Sequence, residues 1–191
     1  MKVETAAVIL AGGKSSRMGQ NKALLPWQGA RLVDYVAGVA KEAGIADIYV
    51  SGEAGGYSTI PDSLPHQGPV GGICSSIGRL YPAYEHVLFL PVDMPLLTPG
   101  ILQILLKQES PGDARYFDGH PIPCFLRLNE QVYSYTAGIQ RLLENGTRCS
   151  VQQFLNGLDS RTLYADTHVT ALTNTNTPQE WSEAACESAH Q

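Results

Sequence analysis

The chain is expected to fold as a single α/β domain built on a three-layer, doubly wound, mostly parallel sheet of Rossmann-like form. Three observations predict this. Residues 6–10 are a continuous apolar run that breaks at Gly12-Gly13, the pattern of a strand buried on both faces of a parallel sheet. Strand-like and helix-like segments alternate from there onward. With 191 residues, 43% of them hydrophobic, the chain has enough material for one well-buried core and too little for two, so one domain over residues 1–191 is expected.

The elements follow in order. Residues 31–43 carry Leu32, Val36, Val39, Ala40 and Ala43 at helical spacing, with Gly44 placed to stop the helix. Residues 48–50 read as the second strand, 71–80 as a short helix leading to Pro82, and 86–90 as the third strand. Thr98-Pro99 is an N-cap followed by proline at the first helical position, and Ile101, Leu102, Leu105 and Leu106 give the next helix its apolar face. Beyond Ser110 the pattern is broken by Pro111-Gly112, Asp118-Gly119 and the prolines flanking Ile122. Residues 123–126 read as an edge strand, because proline cannot donate to a ladder. A helix over 130–144 ends at Asn145-Gly146, Ser150 caps a short one, and 161–164 reads as a further strand. Thr177-Pro178-Gln179-Glu180 is a capping box for a last helix, with the tail after about residue 182 expected to be loose.

Composition narrows the partners. Thirteen basic against 18 acidic residues give a net charge of -5, so no general attraction for a polyanion is available and nucleic acid is not an expected partner. An anionic ligand needs a local site. Cys74, Cys124, Cys149 and Cys186 contain no C-x-x-C pair, so neither a zinc site nor a redox motif is suggested, and reduced, mostly buried thiols are expected. The apolar stretch near the N-terminus is too short for a secretory signal, and no run reaches the length of a membrane span. A cytoplasmic protein with no membrane partner is expected.

Residues 10–22 leave the carboxyl end of the first strand, which is where open α/β sheets bind ligands. Gly12 and Gly13 let backbone N–H groups approach a phosphate, and Lys14, Arg17 and Lys22 bring three cations into one loop. Neither G-x-x-x-x-G-K-[ST] nor G-x-G-x-x-G can be threaded onto these residues, which excludes a P-loop kinase and a Rossmann dehydrogenase. Gly-Gly by itself is equally the mark of a surface turn. Past the third strand, Asp93 supplies the hard oxygen that Mg²⁺ prefers, although a lone aspartate at a strand end also caps turns. Asp62, followed by Gly68-Pro69-Val70-Gly71-Gly72, offers a carboxylate and a helix N-terminus with room for a ligand, or plain turn chemistry. Asn174 and Asn176 present amides that bind a heterocycle or close turns.

Four separated patches in one order resemble the molybdenum cofactor guanylyltransferases, within the wider group of α/β nucleotidyltransferases. They are Leu10-Ala11-Gly12-Gly13 with Arg17-Met18-Gly19 and Lys22; Asp62 with the glycine-proline turn; Pro91-Val92-Asp93; and Asn174-Thr175-Asn176-Thr177-Pro178. Gly119-His120-Pro121 is also similar to the family and suggests acceptor binding. The second glycine of L-A-G-G favours guanylyl over cytidylyl relatives, which usually show L-A-A-G.

The resemblance implies transfer of GMP from Mg-GTP to the phosphate of molybdopterin. In it Arg17, Lys22 and Asp93 are catalytic, and Asp93 binds Mg²⁺. Leu10, Ala11, Gly12, Gly13, Lys22, Asp62, Asp93, Asn174 and Asn176 bind the ligands, with the two asparagines on the pterin side. It also implies contact with proteins that deliver molybdopterin and mature molybdoenzymes. Two departures stand out: Ser51-Gly52 occupies the place after the second strand where the family often has asparagine, and Ser15-Ser16 precedes Arg17 where relatives can carry another base. No side chain is assigned to guanine. The rival readings are a cytidylyltransferase on the same acceptor, a sugar-phosphate nucleotidyltransferase, and a non-catalytic nucleotide-binding module.

Overall fold

A computed structural model describes residues 3–12, 21–64, 67–107 and 111–188. Strand β1 (Val3–Leu10) is followed by a 3₁₀ turn (Lys22–Leu24), a small hairpin of β2 (Pro26–Trp27) and β3 (Ala30–Arg31), and helix α1 (Leu32–Glu42). Then come β4 (Asp47–Ser51), β5 (Ser58–Ile60), α2 (Pro69–Leu80), β6 (Tyr84–Pro91) and α3 (Pro99–Lys107). The remainder is β7 (Ala114–Phe117), β8 (His120–Arg127), α4 (Glu130–Glu144), α5 (Val151–Asn156), β9 (Ser160–Leu163), a 3₁₀ segment (Asp166–Leu172) and α6 (Pro178–Ser188).

The main sheet has the order β5-β4-β1-β6-β8-β7-β9. Only β8 runs against its neighbours, so the sheet is mixed but mostly parallel. Side-chain alternation along the central strands explains the three layers. Ala7 and Ile9 of β1, with Leu88 and Leu90 of β6, join α1 and α3 in one core. Ala6, Val8 and Leu10, with Val87 and Phe89, join α2, α4 and α5 in the other. Phe89 is fully buried, and burial of such a side chain is worth about 1.5–3 kcal/mol.

Helix ends follow local chemistry. Asn129 accepts from Val132 N at 2.8 Å, Ser150 and Gln153 form a reciprocal capping box, and Gly44 takes φ +105° just past α1. The hairpin turns through Gln28 and Gly29, both with positive φ, as a two-residue turn between right-twisted strands requires.

One expectation is corrected. The strand containing Pro123 is β8, which lies inside the sheet between β6 and β7, not at its edge. The prolines are accommodated because the β7–β8 register shifts there: Tyr116 pairs with Cys124 and Phe117 with His120, so residues 121–123 fall in a bulge where no ladder donor is needed. Past residue 182, α6 continues to Ser188 with Ala184 buried, and residues 189–191 lie outside the described residues. Of the cysteines, Cys74 and Cys124 are buried, Cys149 is half-buried and Cys186 is exposed. Among the described residues no helix is long and apolar enough to cross a membrane.

Candidate active site

The chain winds from β1 outward to β4 and β5, then crosses back through α2 to place β6 on the other side of β1. The reversal leaves a crevice at the carboxyl ends of β1 and β6, the place where open α/β sheets bind ligands. Register sharpens it. Ile60 pairs with Ser51, Ser51 with Leu10, and Leu10 with Pro91, so four strands end at one level. The loops that begin with Ala11, Gly52, Pro61 and Val92 therefore leave the sheet side by side.

The loop after β4 packs against the loop after β1 without room for a side chain at Gly52. Ala11 N donates to Ser51 O at 2.9 Å. Gly52 takes φ +114°, and a Cβ there would lie 2.9 Å from Gly12 N and 3.0 Å from Ala11 C. A Cβ on Gly72 would meet Ser51 Oγ at 2.6 Å. A side chain at position 52 would therefore collide with the backbone of Ala11-Gly12.

Lys22 stands at the centre. Its Nζ lies 3.2 Å from Asp93 Oδ2, 2.9 Å from the Thr175 carbonyl oxygen and 2.8 Å from Asn176 Oδ1, which gathers three distant parts of the chain. Asn21 starts the 3₁₀ turn by accepting from Ala23 N at 3.1 Å and donates through Nδ2 to Glu53 O at 2.9 Å, tying the lysine turn to the loop after β4. Thr175 N donates to Asp93 O at 2.8 Å, fixing the closing segment against the loop after β6.

Around these residues lies a cleft of about 830 Å³. One wall holds Leu10, Ala11, Gly12, Lys22 and Asp93; Gly68 and Pro69 bring the N-terminus of α2, the positive end of its dipole. The far wall comes from β8 and the loop between α4 and α5: His120, Arg148, Cys149, Ser150 and Gln152, with Asn174 at the border. Gln152 is oriented by donating to Tyr116 Oη at 2.8 Å. Burial pushes the Cys149 thiol up, which leaves it neutral near pH 7 and unsuited to nucleophilic attack. A cavity of about 870 Å³ opens at the opposite end of the sheet, lined among others by Glu4, Asp47, Glu85, Asp113, Arg115 and Arg127.

The structure brings together Leu10, Ala11, Gly12, Lys22, Asp93, Asn174 and Asn176. Gly13 and Arg17, together with Lys14 and His66, lie outside the described residues. Asp62 sits past β5, where its Oδ1 accepts from Leu64 N at 2.9 Å in a local turn, and it does not line the cleft. Arg148, Gln152 and Gly52 are the additions. Arg148 had only weak signals in the sequence: a base just after Asn145-Gly146 in an acidic chain.

The model of the MobA-like NTP transferase domain matches residues 7–161. The chain belongs to that family. It is therefore a nucleotidyltransferase. A molybdenum cofactor guanylyltransferase from Xanthomonas euvesicatoria pv. vesicatoria is 34% identical over 186 residues, covering 92% of this chain and 91% of that protein. A probable molybdenum cofactor guanylyltransferase from Pelotomaculum thermopropionicum is 31% identical, with 93% and 90% covered. Among solved structures, molybdopterin-guanine dinucleotide biosynthesis protein A from Archaeoglobus fulgidus superposes with a TM-score of 0.75 at 17% identity, covering 97% of this chain and all of the other. A 2-C-methyl-D-erythritol 4-phosphate cytidylyltransferase from Thermus thermophilus superposes at 0.70 with 13% identity, covering 99% and 100%. The MobA-like fold is thus shared with an enzyme named for a different nucleotide.

Proposed function

We propose that this nucleotidyltransferase transfers GMP from Mg-GTP to the terminal phosphate of molybdopterin, in the cytoplasm, giving the guanine dinucleotide form of the cofactor and pyrophosphate. The observation that carries this reading is the meeting of Lys22 and Asp93, 3.2 Å apart, beside Gly12 at the switch of the sheet. A cation, a carboxylate and an open backbone are what a triphosphate with its metal requires.

Asp93 is the residue that would hold Mg²⁺. Its carboxylate is 25% exposed at the cleft, and no group of three or more potential metal ligands exists among the described residues. A single carboxylate fits Mg²⁺, which keeps waters and takes further ligands from substrate phosphates, and does not fit a preformed protein cage. The bound ion supplies charge neutralisation on the phosphate oxygens.

The protein's own groups then divide the work. Gly12 and the α2 N-terminus receive the phosphates, and Lys22 with Arg17 offsets charge on the departing pyrophosphate. Across the cleft, Arg148, His120 and Gln152 are positioned to hold the acceptor, with Asn174 at its edge. An acceptor phosphate oxygen attacks the α-phosphorus, a new P–O bond forms, and the bond to the β-phosphate oxygen breaks with its electron pair leaving on pyrophosphate. The nucleophile is already an anion, so no general base is needed, and alignment supplies much of the rate. Proteins that deliver molybdopterin and receive the product remain part of this reading.

Mass analysis of molybdopterin incubated with the protein and Mg-GTP tests it. The reading expects a product heavier than the acceptor by one GMP residue. An unmodified acceptor, or a CMP adduct formed in preference when CTP is added, contradicts it.

A further inference from the structure

The two asparagines of the closing segment differ in what they face. Asn174 lines the cleft, whereas Asn176 directs Oδ1 to Lys22 Nζ at 2.8 Å. A lysine ammonium has three protons to donate. Here three acceptors take them: Asn176 Oδ1, the Thr175 carbonyl at 2.9 Å and Asp93 Oδ2 at 3.2 Å. A phosphate oxygen can reach Lys22 only by replacing one of these.

The two neutral acceptors are held in place from behind. Thr175 is 3% exposed, and its N–H returns to the Asp93 carbonyl at 2.8 Å. The backbone of Asn176 belongs to the cap of α6: the N–H groups of Asn176 and Thr177 both donate to Glu180 Oε2, and Glu180 N donates to Thr177 Oγ1 at 3.2 Å. The Asp93 contact is the longest of the three, and Asp93 is the partner whose carboxylate opens on the cleft.

We infer that Asn176 is a positioning residue for Lys22. Together with the Thr175 carbonyl it keeps two ammonium protons engaged, so that the third, now on Asp93, is the one passed to a phosphate oxygen of the nucleotide. Asn176 acts on the nucleotide through Lys22 and makes no contact with the acceptor. The physical gain is preorganisation: a four-carbon side chain that is already aimed loses less freedom when the ligand arrives. The nucleotide is taken as GTP from the guanylyl-transfer reading.

The test is a double-mutant cycle on Mg-nucleotide binding in the absence of acceptor, using wild type, Asn176→Ala, Lys22→Met and the double variant. Asn176→Ala should weaken binding roughly tenfold, the scale of one hydrogen bond to a charged group. The loss should vanish in the Lys22→Met background, and the KM for molybdopterin should stay at the wild-type value. The Asn176 side chain is exposed, so the variant should melt with the wild type. Wild-type nucleotide affinity with a raised acceptor KM would overturn the inference, as would an equal loss in the Lys22→Met background. The wild-type arm, run with GTP and CTP, reports on guanylyl transfer separately, and the cycle is read with whichever nucleotide the wild type binds.

Discussion

Gly52 and Gly12 meet so closely that a Cβ on Gly52 would stand 2.9 Å from the Gly12 nitrogen. Gly52 also holds φ +114°, a region that side chains disfavour, whereas among the described residues a Cβ on Gly12 would meet only Ser51 O at an ordinary 3.7 Å. The two glycines therefore answer to different demands. Gly52→Ala must displace the Ala11-Gly12 backbone, and should lower melting stability by about 1–3 kcal/mol while raising the KM for Mg-GTP. Gly12→Ala should leave stability near wild type and act only on nucleotide binding. Thermal melts alongside initial rates separate them.

Lys22 and Asp93 form one unit, so their removal should not add. Lys22→Met and Asp93→Asn should each lower kcat/KM by about 10²–10³, the scale seen when a preorganised charge-stabilising group is lost. The double variant should fall by much less than the product of the two losses, because each single change already disables the same contact. Steady-state rates over a range of Mg²⁺ check this, with the Asp93 variant expected to respond to added Mg²⁺ and the Lys22 variant not.

The central half of the fold was legible because residues 6–10 of β1 and 87–91 of β6 are buried on both faces and read as continuous apolar runs. The sequence reading stopped where short elements take their form from neighbours. The hairpin strands Pro26–Trp27 and Ala30–Arg31 are two residues each, too short for any period. Pro123 suggested an edge because the bulge that shelters it belongs to the pairing with β7, which only tertiary structure reveals. At the site, the glycines, Lys22 and Asp93 could be read because their spacing is tied to strand ends. Arg148 and the Asn176–Lys22 contact could not, since both depend on how distant loops meet above the sheet.

Arg148 is the cation of the far wall and makes no ion pair among the described residues. Arg148→Ala should raise the KM for molybdopterin by about 10- to 100-fold, the value of a charged hydrogen bond to an anion, and leave the affinity for Mg-GTP unchanged. Titration of each substrate separately gives the answer.

Acid should loosen the closing segment. Donation from the Asn176 N–H, then from that of Thr177, holds the Glu180 carboxyl below its ordinary value. A depressed carboxylate contributes stability that is complete above its unfolded value and is lost as pH falls through the lower folded one. The α6 cap should therefore be intact at neutral pH and released only below the usual carboxylate range. Amide exchange at Asn176 and Thr177, compared between wild type and Glu180→Gln, should differ at neutral pH and converge in acid.

The most direct test of guanylyl transfer is Mg²⁺-dependent pyrophosphate release, measured with GTP, CTP, ATP and UTP in turn, with and without molybdopterin. Release with GTP only when molybdopterin is present, abolished by chelation of the metal, is the predicted result. Equal or greater release with CTP, or none with any nucleotide, would contradict it.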